Sequence, residues 1–236
     1  VIRNIEPFFY FKQKFSIKKL ISFFKLILTV ISLKSCLNVV SVSKNTKKII
    51  MKYTKKRIFL IPNGVSVSKK YKNQWSLNNA KNYILNVSKF VPYANQLKLL
   101  EIYNKALIKD MNLPPLYFAG DVYDKEYFDK ALKFIDQNNL GEKIKFLGYL
   151  SKNKLHSKIK NCKLFIFSSE LESCPQTILE ARLIGCPILS TNIAPMPEFL
   201  EKDAMYFNTN NIDKSVDTLI SMLYKIYNQK HLKRNY

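Results

Sequence analysis

Short apolar runs alternate along most of the chain with longer stretches in which apolar residues recur every three or four positions. The short runs, rich in β-branched and aromatic residues, predict strands, and the longer pattern predicts helices with one buried face. From residue 83 onward the predicted strands are 83–87, 116–119, 143–147, 164–167, 188–190 and 205–207. The predicted helices are 95–108, 124–138, 151–161, 176–184 and 212–227.

Strands separated by helices indicate repeated βαβ units, and right-handed crossovers between such strands give a parallel sheet. The runs YIL (83–85) and LFIF (164–167) show no polar alternation, which is typical of strands covered on both faces. The sequence therefore predicts an α/β fold, in which helices cover both faces of a parallel sheet.

The first 64 residues follow a different pattern. Residues 8–33 mix Phe, Tyr, Leu and Ile with Lys and predict one or two amphipathic helices. Strands at 39–42 and 57–61 then flank a helix at 45–53, and the turn sequence PNG (62–64) closes the second strand. This part predicts a second, partial α/β domain.

The change of pattern after residue 64 suggests a domain boundary. Residues 66–82 are polar and have no clear period, so we expect an interdomain linker there. The predicted division is therefore 1–64, 65–228 and a final segment, 229–236.

Charge is concentrated in the same N-terminal part. The chain has 39 Lys and Arg against 17 Asp and Glu, a net charge of +22. Residues 1–64 hold fourteen of these basic residues and one acid, Glu6. A negatively charged partner such as an anionic lipid surface, a phosphorylated substrate or nucleic acid would suit this charge. A codon bias that also enriches Asn, Ile, Phe and Tyr is the alternative explanation.

The amphipathic segment 8–33 has two interpretations. Lys side chains that reach the headgroups and inserted Phe would let it lie on an anionic bilayer. Alternatively, it packs on a partner domain.

Cysteine and histidine argue against a metal site within this chain. The four Cys show no CxxC spacing, and Cys162, Cys174 and Cys186 lie in or beside apolar runs, which predicts reduced thiols in or near the core of a cytoplasmic protein. His156 and His231 both lie in Lys-rich segments that read as surface. We expect neither a metal nor another bound cofactor.

Candidate chemistry lies after the predicted strands, because ligands bind at the carboxyl ends of parallel strands. The sharpest pattern is ELESCPQTILEA (170–181), which follows a buried strand and opens a helix. Free N–H groups at such a helix start favour an anion, for example a diphosphate. Glu172 and Glu180 could both face this crevice and accept hydrogen bonds from sugar or ribose hydroxyls. Alternatively, they only complement the helix dipole.

The spacing Glu172-x7-Glu180 resembles the EX7E motif of family 4 glycosyltransferases, which have the GT-B fold. Further stretches follow in the order that this family shows, so that the resemblance extends over residues 37–227. They are IPNGV (61–65), NVSKFVP (86–92), FAGD (118–121), FLG (146–148) and APMPE (194–198).

The resemblance implies a retaining transfer of a sugar from a nucleoside-diphosphate sugar to an acceptor, without a bound metal. The second, Rossmann-like domain would bind the donor. Glu172 and Lys89 would be the catalytic residues, with Glu172 near the donor sugar and Lys89 neutralising the diphosphate. Glu180 would bind the ribose, and Gly148 and Tyr149 would cradle the base. The backbone that contacts sugar and phosphates would be that of Ser173, Cys174, Pro175, Gln176 and Thr177.

The resemblance also implies a lipid-linked or polysaccharide acceptor in cell-envelope glycan synthesis. The protein would then be cytoplasmic, and the basic N-terminal segment suggests a peripheral position on the inner face of the membrane.

Two features depart from the family pattern. Ala94 stands where the family usually has a second diphosphate-binding Lys, a role that Lys98 could take, and ESCP (172–175) replaces a glycine-rich loop. Residues 1–64 resemble only the end of the family's N-terminal acceptor domain, and the resemblance implies that 229–236 begin a truncated C-terminal helix. We therefore expect a fragment with little turnover of its own.

Three alternatives remain. A nucleotide-sugar epimerase of the same fold would isomerise the free donor instead of forming a glycosidic bond, but it needs acids and His placed differently. A degenerate, non-catalytic relative would account for Ala94. A nucleic-acid-binding protein would show steep salt dependence, but the Lys residues form no recognised motif, so no nucleic-acid partner is expected.

Overall fold

The computed structural model describes residues 5–12 and 17–232. Packing divides the chain into two compact units. The first contains the described residues up to Gly64, together with Leu171–Pro175 and Ile193–Phe199. The second contains Val65–Glu170, Gln176–Asn192 and the described residues from Leu200 onward.

The first unit is a small α/β assembly. Its elements are a 3-10 helix at Glu6–Lys12, α1 (Ile17–Ser35), β1 (Val39–Ser41), α2 (Lys44–Ile50) and β2 (Ile58–Leu60). The strands are parallel, with Val39 opposite Ile58, and their side chains join a core that includes Leu26, Leu33 and Ile50. The helical prediction for 8–33 is confirmed for its described residues. Residues 13–16 lie outside them.

A carboxylate from a distant part of the sequence joins the start of α2. Glu198 accepts hydrogen bonds from the backbone N–H of Lys44 at 2.7 Å and of Asn45 at 3.3 Å. Within α2 itself, the Ser43 hydroxyl accepts from the N–H of Thr46. A negative charge is favourable at a helix N-terminus, which explains why Ile193–Phe199 belongs to this unit.

The second unit is a six-stranded parallel sheet, as predicted. Its strands are β3 (Ile84–Val87), β4 (Leu116–Ala119), β5 (Ile144–Phe146), β6 (Leu164–Phe167), β7 (Ile188–Thr191) and β8 (Ala204–Phe207). They lie in the order β5-β4-β3-β6-β7-β8. The chain thus builds one half of the sheet outward from β3, returns to the centre at β6 and builds the other half, which is the doubly wound arrangement.

Helices cover both faces of this sheet. They are α3 (Gln96–Lys109), α4 (Lys125–Gln137), α5 (Lys152–Asn161), α6 (Gln176–Ile184) and α8 (Ile212–Leu232). The short helix α7 (Met196–Leu200) lies almost wholly in Ile193–Phe199 of the first unit. Helix α3 packs against α4 and α8, and α5 packs against α6. The largest core cluster is formed by α3, α4 and α8 against the strands, and includes Leu99, Tyr103, Leu116, Ile166 and Leu219.

Several predicted bounds differ from the structure. Every strand is within one residue of its prediction, but α7 was missed, and α8 extends to Leu232. Of the expected final segment 229–236, residues 233–236 lie outside the described residues. Asp124 caps α4 by accepting from the N–H of Tyr127, whereas Ser151 begins α5 without a side-chain hydrogen bond.

Residues 66–82, expected to be a linker, are attached to the second unit. The N–H groups of Asn73 and Trp75 donate to the carbonyls of Leu183 and Ile184 at the end of α6. The Trp75 indole donates to the carbonyl of Cys162, 2.8 Å away, just after α5. The segment therefore supplies partners for carbonyls at helix C-termini, which have no partner within their own helices.

Candidate functional site

The strand order of the second unit has a switch point between β3 and β6. Here the chain changes direction within the sheet, and the loops that leave the two strands diverge and open a crevice, the usual ligand position in this architecture. Ser88 and Lys89 follow β3, and Ser168 follows β6. The structure thus brings two of the predicted loops to the same edge.

Hydrogen bonds join these two loops directly. The Ser168 hydroxyl donates to the carbonyl of Ala94 at 2.7 Å. The backbone N–H of Glu170 donates to the carbonyl of Tyr93 at 2.8 Å. The Thr177 hydroxyl, near the start of α6, donates to the carbonyl of Val87 at 3.4 Å. The loop that carries Lys89 is therefore held in place by the loop that leads into α6.

A second set of bonds fixes the turn before α3. Asn95 has a left-handed backbone, with φ of 61°. Its side-chain amide donates to Glu170 Oε1 at 2.8 Å, and the Thr209 hydroxyl donates to the same oxygen at 2.7 Å. Glu170 thus connects the loops that follow β3, β6 and β8, a role that the sequence pattern beginning at this residue did not predict.

Lys89 is an exposed cation on a fixed backbone. Its ammonium lies 5.3 Å from the ring centroid of Tyr123. The side-chain amide of Gln96, fully buried, donates to the Lys89 carbonyl at 2.7 Å and to the Ser88 hydroxyl at 2.8 Å. The buried Gln96 amide therefore fixes the position of the Lys89 backbone, while the Lys89 side chain is available to an anion.

The predicted base loop adjoins the Lys89 loop through Gly120. The N–H of Gly120 donates to the carbonyl of Gly148 at 2.9 Å. Gly120 also approaches the backbone of Ser88 closely. Gly148 itself has φ of 61°, and the next residue, Tyr149, is exposed over 74% of its surface. An exposed ring beside a turn in this position can stack on a planar ligand.

The start of α6 differs from the start of α3. In the described part of the chain, no acceptor is found for the N–H groups of Gln176, Thr177 and Ile178. At α3, by contrast, the Tyr127 hydroxyl accepts from the N–H of Leu97 at 3.0 Å. Helix α6 thus presents free donors and a positive dipole end, and can hold an anion.

Glu180 lies one turn into α6 and is only 7% exposed. Its Oε1 is 3.4 Å from Nε2 of His156 and 3.9 Å from Nζ of Lys152, both on α5. His156, predicted at the surface, is 1% exposed, so that prediction is wrong. The described residues do not include the side chain of His231.

Ala94 and Lys98 show how this chain differs from the family pattern. The Ala94 side chain is buried, so the methyl group offers nothing to a diphosphate. The ammonium of Lys98, its suggested replacement, is bound to Glu101 on the same helix at 2.9 Å.

Four of the predicted site residues, Glu172, Ser173, Cys174 and Pro175, belong to the first unit. Ser173, Cys174 and Pro175 are buried, and Glu172 is half-buried. Burial is the main factor that raises the pKa of the Cys174 thiol. The Glu198 and Glu172 carboxylates add to this effect, and a hydrogen bond to Asn63 opposes it. This thiol is a weak nucleophile at neutral pH.

Of the other thiols, Cys162 and Cys186 are buried with their sulfur atoms 3.3 Å apart. The residues that the structure describes contain no cluster of three or more His, Cys, Asp or Glu side chains that could hold a metal ion. Within the same residues, no helix combines the length and apolar character needed to span a bilayer.

Comparison with known proteins identifies the family. The fold is that of GT-B glycosyltransferases. Residues 67–235 match the profile of the family described as glycosyl transferases group 1, and the chain belongs to this family. The resemblance carried by Glu172-x7-Glu180 is thereby confirmed.

One curated relative is the capsular polysaccharide biosynthesis glycosyltransferase CapH of Staphylococcus aureus. It is 30% identical over 194 residues, which cover 81% of this chain and 52% of CapH. The chain therefore spans about half the length of this relative.

Two solved structures share the fold. TarM of S. aureus has a TM-score of 0.69 and 19% identity, and the match covers 85% of this chain and 39% of TarM. HepE of Anabaena, solved in complex with UDP and glucose, has a TM-score of 0.64 and 17% identity, over 83% of this chain and 57% of HepE.

Proposed function

We propose that this chain supplies the donor-binding part of a retaining glycosyltransferase. The enzyme transfers a sugar from a nucleoside-diphosphate sugar to a polysaccharide or lipid-linked acceptor in capsule or O-antigen synthesis. Family membership supports this class of reaction, and so does similarity to CapH and to O-antigen chain mannosyltransferase B of Escherichia coli, whose names describe such activities. The UDP and glucose bound to HepE support the class of donor.

The observation that carries the proposal is the bond between Thr177 and Val87 at the switch point. It joins the start of α6, with its free N–H groups, to the strand end that precedes Lys89. A diphosphate in this crevice would meet helix donors on one side and an ammonium on the other. Both stabilise the charge that the departing nucleoside diphosphate gains in the transition state.

The remaining roles follow the family. Glu180 accepts hydrogen bonds from the ribose hydroxyls, and Gly148 and Tyr149 hold the base. Glu172 acts near the donor sugar, and the backbone from Ser173 to Thr177 contacts sugar and phosphates. The chemistry in this scheme uses no metal, because Lys89 and the N–H groups of α6 neutralise the diphosphate.

Product analysis tests the reaction. The full-length enzyme is incubated with UDP-glucose, UDP-GlcNAc or GDP-mannose and a capsular or O-antigen oligosaccharide acceptor, and the products are identified by mass spectrometry. The proposal predicts an acceptor heavier by one sugar, with the anomeric configuration of the donor. An isomerised free donor with an unchanged acceptor would instead identify an epimerase.

The alanine at position 94 supports a second candidate function, in which the protein binds nucleotides without transferring a sugar. Loss of one cation beside a leaving diphosphate removes transition-state stabilisation of several kcal/mol. In that case nucleoside diphosphates bind, but no donor and acceptor pair gives a product.

The location we propose is the cytoplasmic face of an anionic membrane. Helix α1 exposes Leu20, Phe24 and Leu28, and its only charged residues are basic. Flotation with liposomes tests this location. Phosphatidylglycerol-rich vesicles should carry the protein upward and phosphatidylcholine vesicles should not, whereas equal behaviour on both would exclude charge-directed binding.

A further inference from the structure

Glu180 is held by a pair of side chains that the family pattern does not assign. Lys152 and His156 are four residues apart on α5, and this spacing puts both on one face of the helix. Both reach Glu180 Oε1, at 3.9 Å and 3.4 Å. The Lys152 side chain is 61% exposed, so solvent screens its charge. His156 is the buried partner.

The surroundings of His156 restrict its imidazole. The ring of Tyr71 packs edge-on against it, with centroids 5.7 Å apart, and the Tyr71 hydroxyl donates to the carbonyl of Asn153 in the same helix. Among the described residues, Nε2 of His156 has no hydrogen-bond partner. Buried polar atoms without a partner are rare, and each calls for an explanation.

Glu180 offers an acceptor close to this unpaired nitrogen. At 3.4 Å, Nε2 and Glu180 Oε1 lie within reach, but their alignment is not that of a formed hydrogen bond. Polar contacts at ligand sites are often long without the ligand and shorten in the complex. A small rotation of either side chain would complete this bond.

We propose that His156 is a positioning residue for nucleotide recognition. Its Nε2–H donates to Glu180 Oε1 and leaves Oε2 free to accept from the ribose hydroxyls, since a carboxylate has two oxygens with separate acceptor sites. This inference rests on the proposed role of Glu180 as the ribose ligand. It adds that the selection of a ribose depends on a second residue, which does not touch the nucleotide.

Two matched variants separate this role from simple packing. In His156→Gln the amide nitrogen can reach the place of Nε2, whereas in His156→Asn it stops near the place of Nδ1. Isothermal titration then compares UDP with 2′,3′-dideoxy-UDP, and GDP with its dideoxy form. The ratio of the two dissociation constants isolates the contribution of the ribose hydroxyls.

The expected result is a change in this ratio alone. Wild-type protein prefers the ribonucleotide, and His156→Gln retains most of that preference. In His156→Asn the preference for the ribonucleotide falls about tenfold, the order expected for a hydrogen bond that involves a charged group. The affinity of this variant for the dideoxy form stays within about twofold of the wild-type value. If His156 had a purely structural role, the variant would bind the ribonucleotide and the dideoxynucleotide more weakly by the same factor. If His156→Asn does not fold, His156→Leu, which also lacks the donor, replaces it.

The experiment distinguishes an error about His156 from an error about the proposed function. If Glu180→Gln abolishes the ribose preference but the His156 variants keep it, His156 does not position Glu180, and the proposed function stands. If neither UDP nor GDP binds to the wild-type protein, the proposed function is wrong and the inference falls with it.

Discussion

A Cβ atom on Gly120 would lie 2.1 Å from the carbonyl oxygen of Ser88. The loop that follows β4 therefore touches the backbone just before Lys89, and only a glycine permits this approach. The backbone of Gly120 also has φ of 139°, which side chains rarely allow. The arrangement of the proposed diphosphate site thus depends on a residue with no side chain.

Gly120→Ala should displace the Lys89 loop and destabilise the protein. The strained backbone alone costs about 1–3 kcal/mol, and the contact with Ser88 adds to it. Urea unfolding measures the loss of stability. The matched control is Gly148→Ala, where φ is 61° and a Cβ meets nothing within 4 Å. This control should lose only about 1–2 kcal/mol, and equal losses in the two variants would refute the close approach.

Asn95 should tolerate glycine better than alanine. Its left-handed backbone costs an alanine about 1–2 kcal/mol, which glycine avoids. Both variants lose the hydrogen bond to Glu170, worth about 1 kcal/mol or more. We expect Asn95→Ala to be clearly less stable than Asn95→Gly in chemical unfolding. The reverse order would contradict the observed backbone conformation.

Tyr127→Phe should change how stability depends on alkaline pH. Burial raises the pKa of the Tyr127 hydroxyl to about 12, although hydrogen bonds from the backbone N–H of Leu97 and Gln96 act in the opposite direction. Between about pH 10 and 12 the unfolded chain therefore ionises while the folded protein does not. Stability falls in this window, by up to about 1.4 kcal/mol per pH unit for this group.

The phenylalanine variant should therefore be less stable at pH 8, by about 1 kcal/mol for the lost hydrogen bond, but should fall less steeply above pH 10. Unfolding midpoints at pH 8, 10 and 11 measure both effects. The control is Tyr224→Phe, which removes a phenol that is 55% exposed. Parallel curves for wild-type protein and Tyr127→Phe would show that the hydroxyl is not buried in the fold.

Ala94→Lys should tighten the binding of nucleoside diphosphates. A lysine here restores the second cation that the family usually has, and a charged contact with a phosphate is worth about 1.5–3 kcal/mol, or at least tenfold in affinity. Thermal shift and calorimetry with UDP and GDP test it. Unchanged affinity would mean that another group already supplies the second positive charge at the diphosphate. Repeating the titration with Lys98→Met would show whether that group is Lys98.

The sheet could be predicted because its strands are buried on both faces. LFIF (164–167) and its neighbours are therefore continuous apolar runs, which few other structures explain. Helix α7 was missed because Pro195 and Pro197 are typical of turns, and Met196–Leu200 is too short to show a period. Residues 66–82 have no period either, since several of their contacts are hydrogen bonds to the ends of α5 and α6 and not a continuous apolar face.

The site could be predicted only in part. Lys89, Thr177 and Glu180 were proposed from the family resemblance and from their positions after strands, and their roles stay predictions. His156 was misplaced because its neighbours are Lys, and apolar periodicity does not reveal a polar side chain that is buried beside a carboxylate. Glu170 opens the pattern at 170–181 and Gln96 belongs to no motif, but neither was given a role from the sequence. Their roles depend on partners such as Thr209, which is distant in sequence and can be identified only from the structure.

The binding of a nucleoside diphosphate to Lys89→Met tests the central claim most directly. Calorimetry should show affinity for UDP or GDP reduced at least tenfold, since one charged contact with the diphosphate is lost. The matched control is Lys109→Met, which removes another exposed lysine, paired with Asp217 near the far end of α3, and it should bind like the wild-type protein. Equal affinity in Lys89→Met and wild-type protein would contradict a diphosphate site at the junction of β3 and α6.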